Sequence, residues 1–479
     1  MSSLAKHTSI LIICRFLNYV ILFVTPVFLV RMLSVAEYGK YREFILYSGI
    51  IANLASFSVN RSLLYFLGKY KNNSTFVENS ILINFIISII VVLALVVFKG
   101  LIEYNSTYDF VYPLCVYLFF LLNFDFCESY WIATQKTNYV LYYIAARSSL
   151  RSVALIGAAF CLKNIMYMIY ALVLVEFLKF IFVAIYSYRK KLIKFKFNFG
   201  NIKEQIVYTF PMGVSNFIFY TNKEISKFFI IYTLGVEYLA LYAVGSYQIP
   251  VINIVRSSIA DIVFPEICSR MNSSKHNGLD LWKKTNVLYC AIVFPFFVVF
   301  YYFSEDFIRI FFTDKYIDSV PVFRIYMFLM VKECFETGIP LRSIGKNKFY
   351  VFANFFALII NIFLIFMLKD YMRFYGPAIA YIVSDTFIYL FFGLKILSVY
   401  QIKLYEIFYW KKIFKLSIVN IMVFPVLLVG EFVEINYIAK PIIFSSLFFI
   451  IYFAVISRSN IEEVCLVFNK LYSKIKFYS

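Results

Sequence analysis

Charge is scarce in this sequence. Only 15% of its 479 residues are Asp, Glu, Lys or Arg, against about 25% in an average soluble domain. A chain of this size with so few charges cannot cover itself with a water-facing surface. Histidine is nearly absent, and His7 and His276 lie in separate loops, so no histidine metal cluster can form. The eight cysteines (Cys14, Cys115, Cys127, Cys161, Cys268, Cys290, Cys334 and Cys465) are scattered, mostly within apolar runs, and none are spaced CxxC. That excludes a zinc ribbon and a dithiol redox motif and leaves them as small buried hydrophobes. No GxxxxGK[ST] phosphate loop occurs, so the chain carries no nucleotide site of that kind. No polar stretch is long enough to fold as a soluble domain, which excludes a separate catalytic domain.

What is present is apolar. Hydrophobic residues make up 62% of the chain and the mean hydropathy is +0.79. They fall in runs of about 20 residues, the length a helix needs to cross the hydrocarbon core. Ile81–Phe98 contains no charge, and Lys440–Ser457 is charged only at its first residue. Neither alternates with period two, so the sequence is not that of a β-barrel. The fold class expected is an all-α polytopic membrane protein. The early apolar run has no small-residue cleavage site before Arg31 and reads as a retained first helix.

The runs predict about fourteen helices. Twelve lie near 8–30, 42–66, 77–98, 110–132, 139–160, 166–187, 205–233, 238–266, 285–303, 319–340, 349–368 and 377–398. Two more lie near 413–430 and 438–456. The net charge of +19 sits in short loops between runs, above all in Tyr188–Lys203. That is the distribution of cytoplasmic loops and not of a nucleic-acid surface. With the N-terminus inside, one set of loops holds roughly 26 Lys and Arg and the other roughly 10, which places both termini in the cytoplasm. Ser304–Pro321 is amphipathic and is expected to lie along the interface.

Many ionisable residues fall inside the runs. A charge at mid-bilayer costs about 2.5–3.5 kcal/mol on the insertion scale, so such groups pair, snorkel or face a wet cavity. Asp125 and Glu128 share a helix face, as do Arg147 and Arg151 on the next helix, and they are expected to pair. Glu176 and Lys179 are expected to pair likewise. Arg61, Arg324 and Asp385 are placed near helix ends, where snorkelling competes with function. Arg15, Lys223, Glu224, Lys227, Arg256 and Asp261 lie in helices one, seven and eight. The last two helices hold few charges and are expected to offer little to a cavity.

The chain also repeats itself. Leu33–Tyr41 follows the first helix of one six-helix block, and Leu234–Tyr242 follows the first helix of the next. An even number of helices per block gives parallel repeats, with substrates bound between the halves. The expected division is therefore 1–200 and 201–400 as six-helix lobes, with 401–479 as two added helices and a cytoplasmic tail.

Five blocks carry a family resemblance: RMLSVAEYGKY (Arg31–Tyr41), the stretch Phe210–Gly245, VFPEICSRM (Val263–Met271), Phe307–Ile325 and YGPAIAYIVSD (Tyr375–Asp385). In order and spacing the chain resembles the bacterial polysaccharide (O-antigen-type) flippases of the multidrug/oligosaccharidyl-lipid/polysaccharide exporter superfamily. The family's acidic–basic pair in helix seven is replaced by Ser226-Lys227, with Glu224 as a stand-in acid. The resemblance implies movement of an undecaprenyl-pyrophosphate-linked oligosaccharide across the cell inner (plasma) membrane by alternating access. It implies no cofactor and no catalysis, contact with membrane lipids, and a glycan polymerase or glycosyltransferase as possible partner. In that family helices one, seven and eight line the central cavity, so Arg15, Lys223, Lys227 and Arg256 become the expected substrate-binding residues. Arginine pairs bidentately with phosphate and lysine supplies a point charge, which is what a buried pyrophosphate needs. A drug antiporter of the same superfamily would want an acidic cavity, and a membrane glycan polymerase a large outside loop.

Overall fold

The computed structural model describes residues 3–70, 74–103, 108–193, 199–249, 263–264, 266–271, 275–346, 348–459, 461 and 463. All regular structure among them is helical. Eleven helical spans among them, some interrupted by a break, are long and apolar enough to cross a membrane. Helix is the form such runs must take, because lipid offers no partner for a free backbone N–H or C=O. Two compact units form, Met1–Ala243 and Val244–Ser479.

The first unit holds α1 (Ser3–Met32), α2 (Val35–Ser56), α3 (Val59–Lys69), α4 (Thr75–Val97), α5 (Lys99–Ile102) and α6 (Val111–Leu122). It continues with α7 (Cys127–Ala133), α8 (Thr137–Leu162), α9 (Ile165–Arg189), α10 (Phe199–Leu234) and most of α11 (Val236–Gly245). α1 packs along α8, and α10 packs across α2, α3 and α4. α2 starts at a capping box: the Ser34 hydroxyl accepts from Glu37 N at 3.2 Å, and the Glu37 carboxylate accepts from Ser34 N at 2.9 Å. Gly39, one turn on, lies directly against the first residue of α11. A Cβ there would sit 2.1 Å from the Val236 carbonyl oxygen. The two repeated segments therefore touch at a place only glycine fits.

Two expected helices are broken in this unit. The run expected as one helix over 42–66 is α2 and α3, because Phe57 and Ser58 are both left-handed, with φ of 36° and 59°. Left-handed backbone costs a non-glycine residue roughly 1–2 kcal/mol. α10 offsets it: Asn216 Nδ2 donates to Ser58 Oγ at 2.8 Å, and a Cβ on Gly213 would come within 2.7 Å of Phe57 Cα. The run expected over 110–132 is α6 and α7. Asn123 is extended and Phe124 has φ of 54°. Asn123 Nδ2 donates to Phe119 O and to Ser88 Oγ, both at 2.8 Å, which draws the chain out of the helix. A core of Phe66, Phe76, Phe126, Trp131, Val140 and Val183 then fixes α7 against α3, α4, α8 and α9.

The second unit holds α12 (Lys275–Tyr302), α13 (Ser304–Phe312), α14 (Val320–Glu333), α15 (Gly338–Ser343), α16 (Lys348–Met372) and α17 (Gly376–Tyr400). It ends with α18 (Trp410–Val423), α19 (Pro425–Val429) and α20 (Ala439–Ser457). Breaks again interrupt expected helices. Residues 334–337 separate α14 from α15, and Phe424 separates α18 from α19, where Pro425 has no N–H to continue the ladder. The helix expected over 238–266 stops at Gly245 and residues 246–249 are not helical, with 250–262 outside the described residues. α13 is the amphipathic segment: Phe307, Ile308 and Phe312 are buried while Glu305 and Arg309 are exposed.

Candidate functional site

The break between α6 and α7 creates polar work for its neighbours. Leaving the helix frees the Leu121 carbonyl, and Lys179 Nζ on α9 donates to it at 2.9 Å. The same ammonium lies 3.2 Å from Glu176 and 3.8 Å from Asp125. Arg147 on α8 completes the cluster, with contacts of 3.1 Å to Asp125 and 2.9 Å to Glu176. The expected pairs Asp125–Arg147 and Glu176–Lys179 are thus both made. Each is one edge of a single network, buried at Glu176 and Lys179 and partly open at Asp125 and Arg147.

Beside this network is a cavity of about 470 Å³ lined by α1, α2, α7 and α8. Four arginines line it: Arg15 from α1, Arg42 from α2, and Arg147 and Arg151 from α8. One carboxylate lines it, Glu128, whose charge acts with those of Arg147, Arg61 and Arg15. The expected pairing of Glu128 with Arg147 or Arg151 is not among the ion pairs of the described residues. Arg151 instead has Tyr117 and Tyr41 close by, with the Glu176 carboxylate near enough for its charge to act. Thr25 on α1 and Ser152 on α8 share a hydrogen bond of 2.5 Å, which holds two of the cavity walls together. The arrangement is a compact cationic pocket inside a membrane protein. Guanidinium groups from three helices suit a group that is small, multiply negative and rich in acceptor oxygens.

Of the four residues expected to bind substrate, Arg15 lines this cavity. Lys227 on α10 pairs with Glu224 at 2.6 Å, and Arg42 is close enough for its charge to act on both. Lys223, on the same helix, acts on Glu224. Arg256 lies outside the described residues, as does Asp261. Sequence reasoning missed Arg42, which stands one residue beyond the quoted motif ending at Tyr41. It had also given Arg151 to a structural pair.

Two further placements correct the sequence reading. Asp385 is not near a helix end: it lies well inside α17, is buried, and pairs with Lys332 of α14. The C-terminal helices do line a cavity. A second void, of about 870 Å³, has Ser417, Ile421 and Phe424 in its wall, and scarcity of charge is no guide to an apolar void. Among the described residues no group of three or more His, Cys, Asp or Glu could hold a metal.

The fold is known from solved structures. The chain is similar to the lipid II flippase MurJ in an inward closed conformation, with a TM-score of 0.67 and 15% identity, covering 95% of this chain and 99% of that one. It is similar to an inward-facing multidrug resistance MATE family transporter of the MOP superfamily, with a TM-score of 0.58, 14% identity and coverage of 81% and 99%. A MOP superfamily transporter from Pyrococcus furiosus, described as having a binding pocket of reverse polarity, gives a TM-score of 0.55, 13% identity and coverage of 82% and 96%. No curated protein matches the sequence. Residues 28–321 match the family model described as "Polysaccharide biosynthesis protein". With more than half its length in that match, this multi-pass membrane chain belongs to the polysaccharide biosynthesis protein family.

Proposed function

We propose that this protein is a flippase that carries an undecaprenyl-pyrophosphate-linked oligosaccharide across the cytoplasmic membrane by alternating access, without catalysis. The observation that carries the reading is the cavity lined by Arg15, Arg42, Arg147 and Arg151. Four guanidiniums against one lining carboxylate, Glu128, supply the positive charge that a diphosphate would neutralise. Lys223 or Lys227 and Arg256 join them in the substrate path. The family's place in polysaccharide biosynthesis supports a glycan cargo. A drug-cation exporter shares the fold, but four guanidiniums repel such cargo. In this reading fourteen helices cross the membrane, residues 1–200 and 201–400 are the two lobes, 401–479 is an appendage, and both termini are cytoplasmic.

The test measures surface glycan and protein abundance together. Arg15→Ala, Arg42→Ala and Arg151→Ala should each cut export roughly tenfold or more, the loss of a charge-assisted contact of about 1.5–3 kcal/mol, at unchanged abundance. Arg15→Lys should restore part, since the charge returns without the fork. Normal export by all three alanine variants at normal abundance would refute the reading. A reporter active only outside the cytoplasm should be silent at Lys196 and active at Tyr108, and the reverse pattern would sink the orientation.

A further inference from the structure

The larger cavity lies wholly in the second unit and is unlike the first. Its walls are apolar and aromatic, from Phe294, Phe297 and Val298 on α12 to Ile421 and Phe424 at the end of α18. Its volume of about 870 Å³ falls in the range of roughly 300–1,000 Å³ typical of small-molecule sites. The charges are gathered at one mouth. Glu305 and Asp306 come from the start of α13, Arg324 from α14, Glu431 from the turn after α19, and Lys440 from the start of α20.

This mouth is mixed in sign, with three carboxylates and two cations. The cations do not simply cancel the acids. Arg324 Nε donates to Ser304 Oγ at 2.7 Å, and its contact with Glu305 is long, at 3.4 Å. Glu431 accepts from the Tyr302 hydroxyl at 2.5 Å and makes no ion pair among those of the described residues. Asp306 is half-buried, and burial pushes its carboxyl up despite Lys440 and Arg309 nearby. An apolar void capped by separated acids and bases matches an amphiphile whose head carries both charges. A purely anionic head would meet three carboxylates. A quaternary ammonium would offer those carboxylates no N–H.

We infer that this cavity binds a bilayer phospholipid with a phosphate and a primary amine in its head group, the amine on Asp306 and Glu431, the phosphate on Arg324 and Lys440, and an acyl chain among the phenylalanines. The bound lipid fills the space between α12, α14 and α18. It is thereby a structural ligand of the second unit, independent of the cargo.

The full-length protein, purified in detergent, is titrated with phosphatidylethanolamine, phosphatidylcholine or phosphatidylglycerol, and Tm is followed, with retained lipid counted by native mass spectrometry. Phosphatidylethanolamine should raise Tm by several degrees and stay bound, because a ligand held only by the native state stabilises it by mass action. The other two should do less than half as much. Ile421→Trp, which fills the void, and the pair Asp306→Asn with Glu431→Gln, which removes the amine's partners, should each abolish the difference between lipids. Equal shifts from the three lipids on the unmodified protein would overturn the inference without any variant, as would an undiminished shift in both variants.

Discussion

Each unit interrupts an expected helix, and the two interruptions are finished differently. In the first unit, residues 123–126 part α6 from α7, and the freed Leu121 carbonyl is taken by the ammonium of Lys179. In the second, residues 334–337 part α14 from α15, and the Glu336 carbonyl is taken by the neutral indole of Trp282 at 2.8 Å. Nearby, Lys332 and Asp385 close on each other, and the Glu336 carboxylate accepts from the Tyr389 hydroxyl at 3.1 Å. Charge there is settled within pairs. Around the first break four arginines, Arg15, Arg42, Arg147 and Arg151, line one cavity that holds a single carboxylate, Glu128. A buried pair is costly to break, whereas several guanidiniums lining one void suit an anionic group. The two breaks thus differ in their charge, with a four-arginine cavity beside the first and an ion pair beside the second.

The sharpest test of that contrast is Lys332→Ala. It leaves Asp385 buried without its cation, which should cost about 3–5 kcal/mol and show as a large fall in Tm in detergent. Adding Asp385→Ala should recover most of it, and no recovery would mean that the pair is not the unit of stability. Arg147→Ala comes next. It strips two carboxylates of a partner, but Asp125 is 38% exposed and Lys179 remains, so the loss should be about 1.5–3 kcal/mol. Arg151→Ala on the same face should stay within about 0.5 kcal/mol while export fails. Equal destabilisation by both would erase the distinction between the ion-paired Arg147 and Arg151.

Gly39→Ala tests how the site is positioned. The added methyl meets the Val236 carbonyl and must displace α2, which carries Arg42 three residues on. A stability loss of about 1–3 kcal/mol should be accompanied by loss of export. Gly376→Ala in the second unit meets Leu368 at a looser 3.1 Å, so it should lose less stability and keep export. The smallest effect is expected from Glu204→Gln. Its partner Lys69 is 43% exposed, and exposed pairs contribute little. Unchanged Tm and unchanged export would mark that end of the first unit as outside the cationic site.

The helices were legible because hydropathy dictates them, and the pairs Asp125–Arg147 and Glu176–Lys179 because helical spacing puts such groups within reach. The breaks were not. Hydropathy runs through 57–58, 123–126 and 334–337 with little pause, and the groups that satisfy them lie far along the chain, Asn216 for Ser58 and Lys179 for Leu121. Arg42 was hidden for a related reason: it stands in the first turns of a helix, where a charge reads as a snorkelling end residue, and only the approach of α2 to α1 and α8 turns it toward a cavity. The void in the second unit has its charges only at one mouth, drawn from four separate segments, and could be found only from packing.

The contact between Lys179 and the Leu121 carbonyl also bears on how the protein is made. Synthesis runs from the N-terminus, and 58 residues separate the two groups. When α6 and α7 first enter the bilayer, the lysine that will cap the opened turn has not yet been translated. The carbonyl opened by the break in segment 111–133 therefore gains its lysine partner only once α9 has come in beside it. The cationic site is assembled late, by a helix that contributes no wall to the cavity.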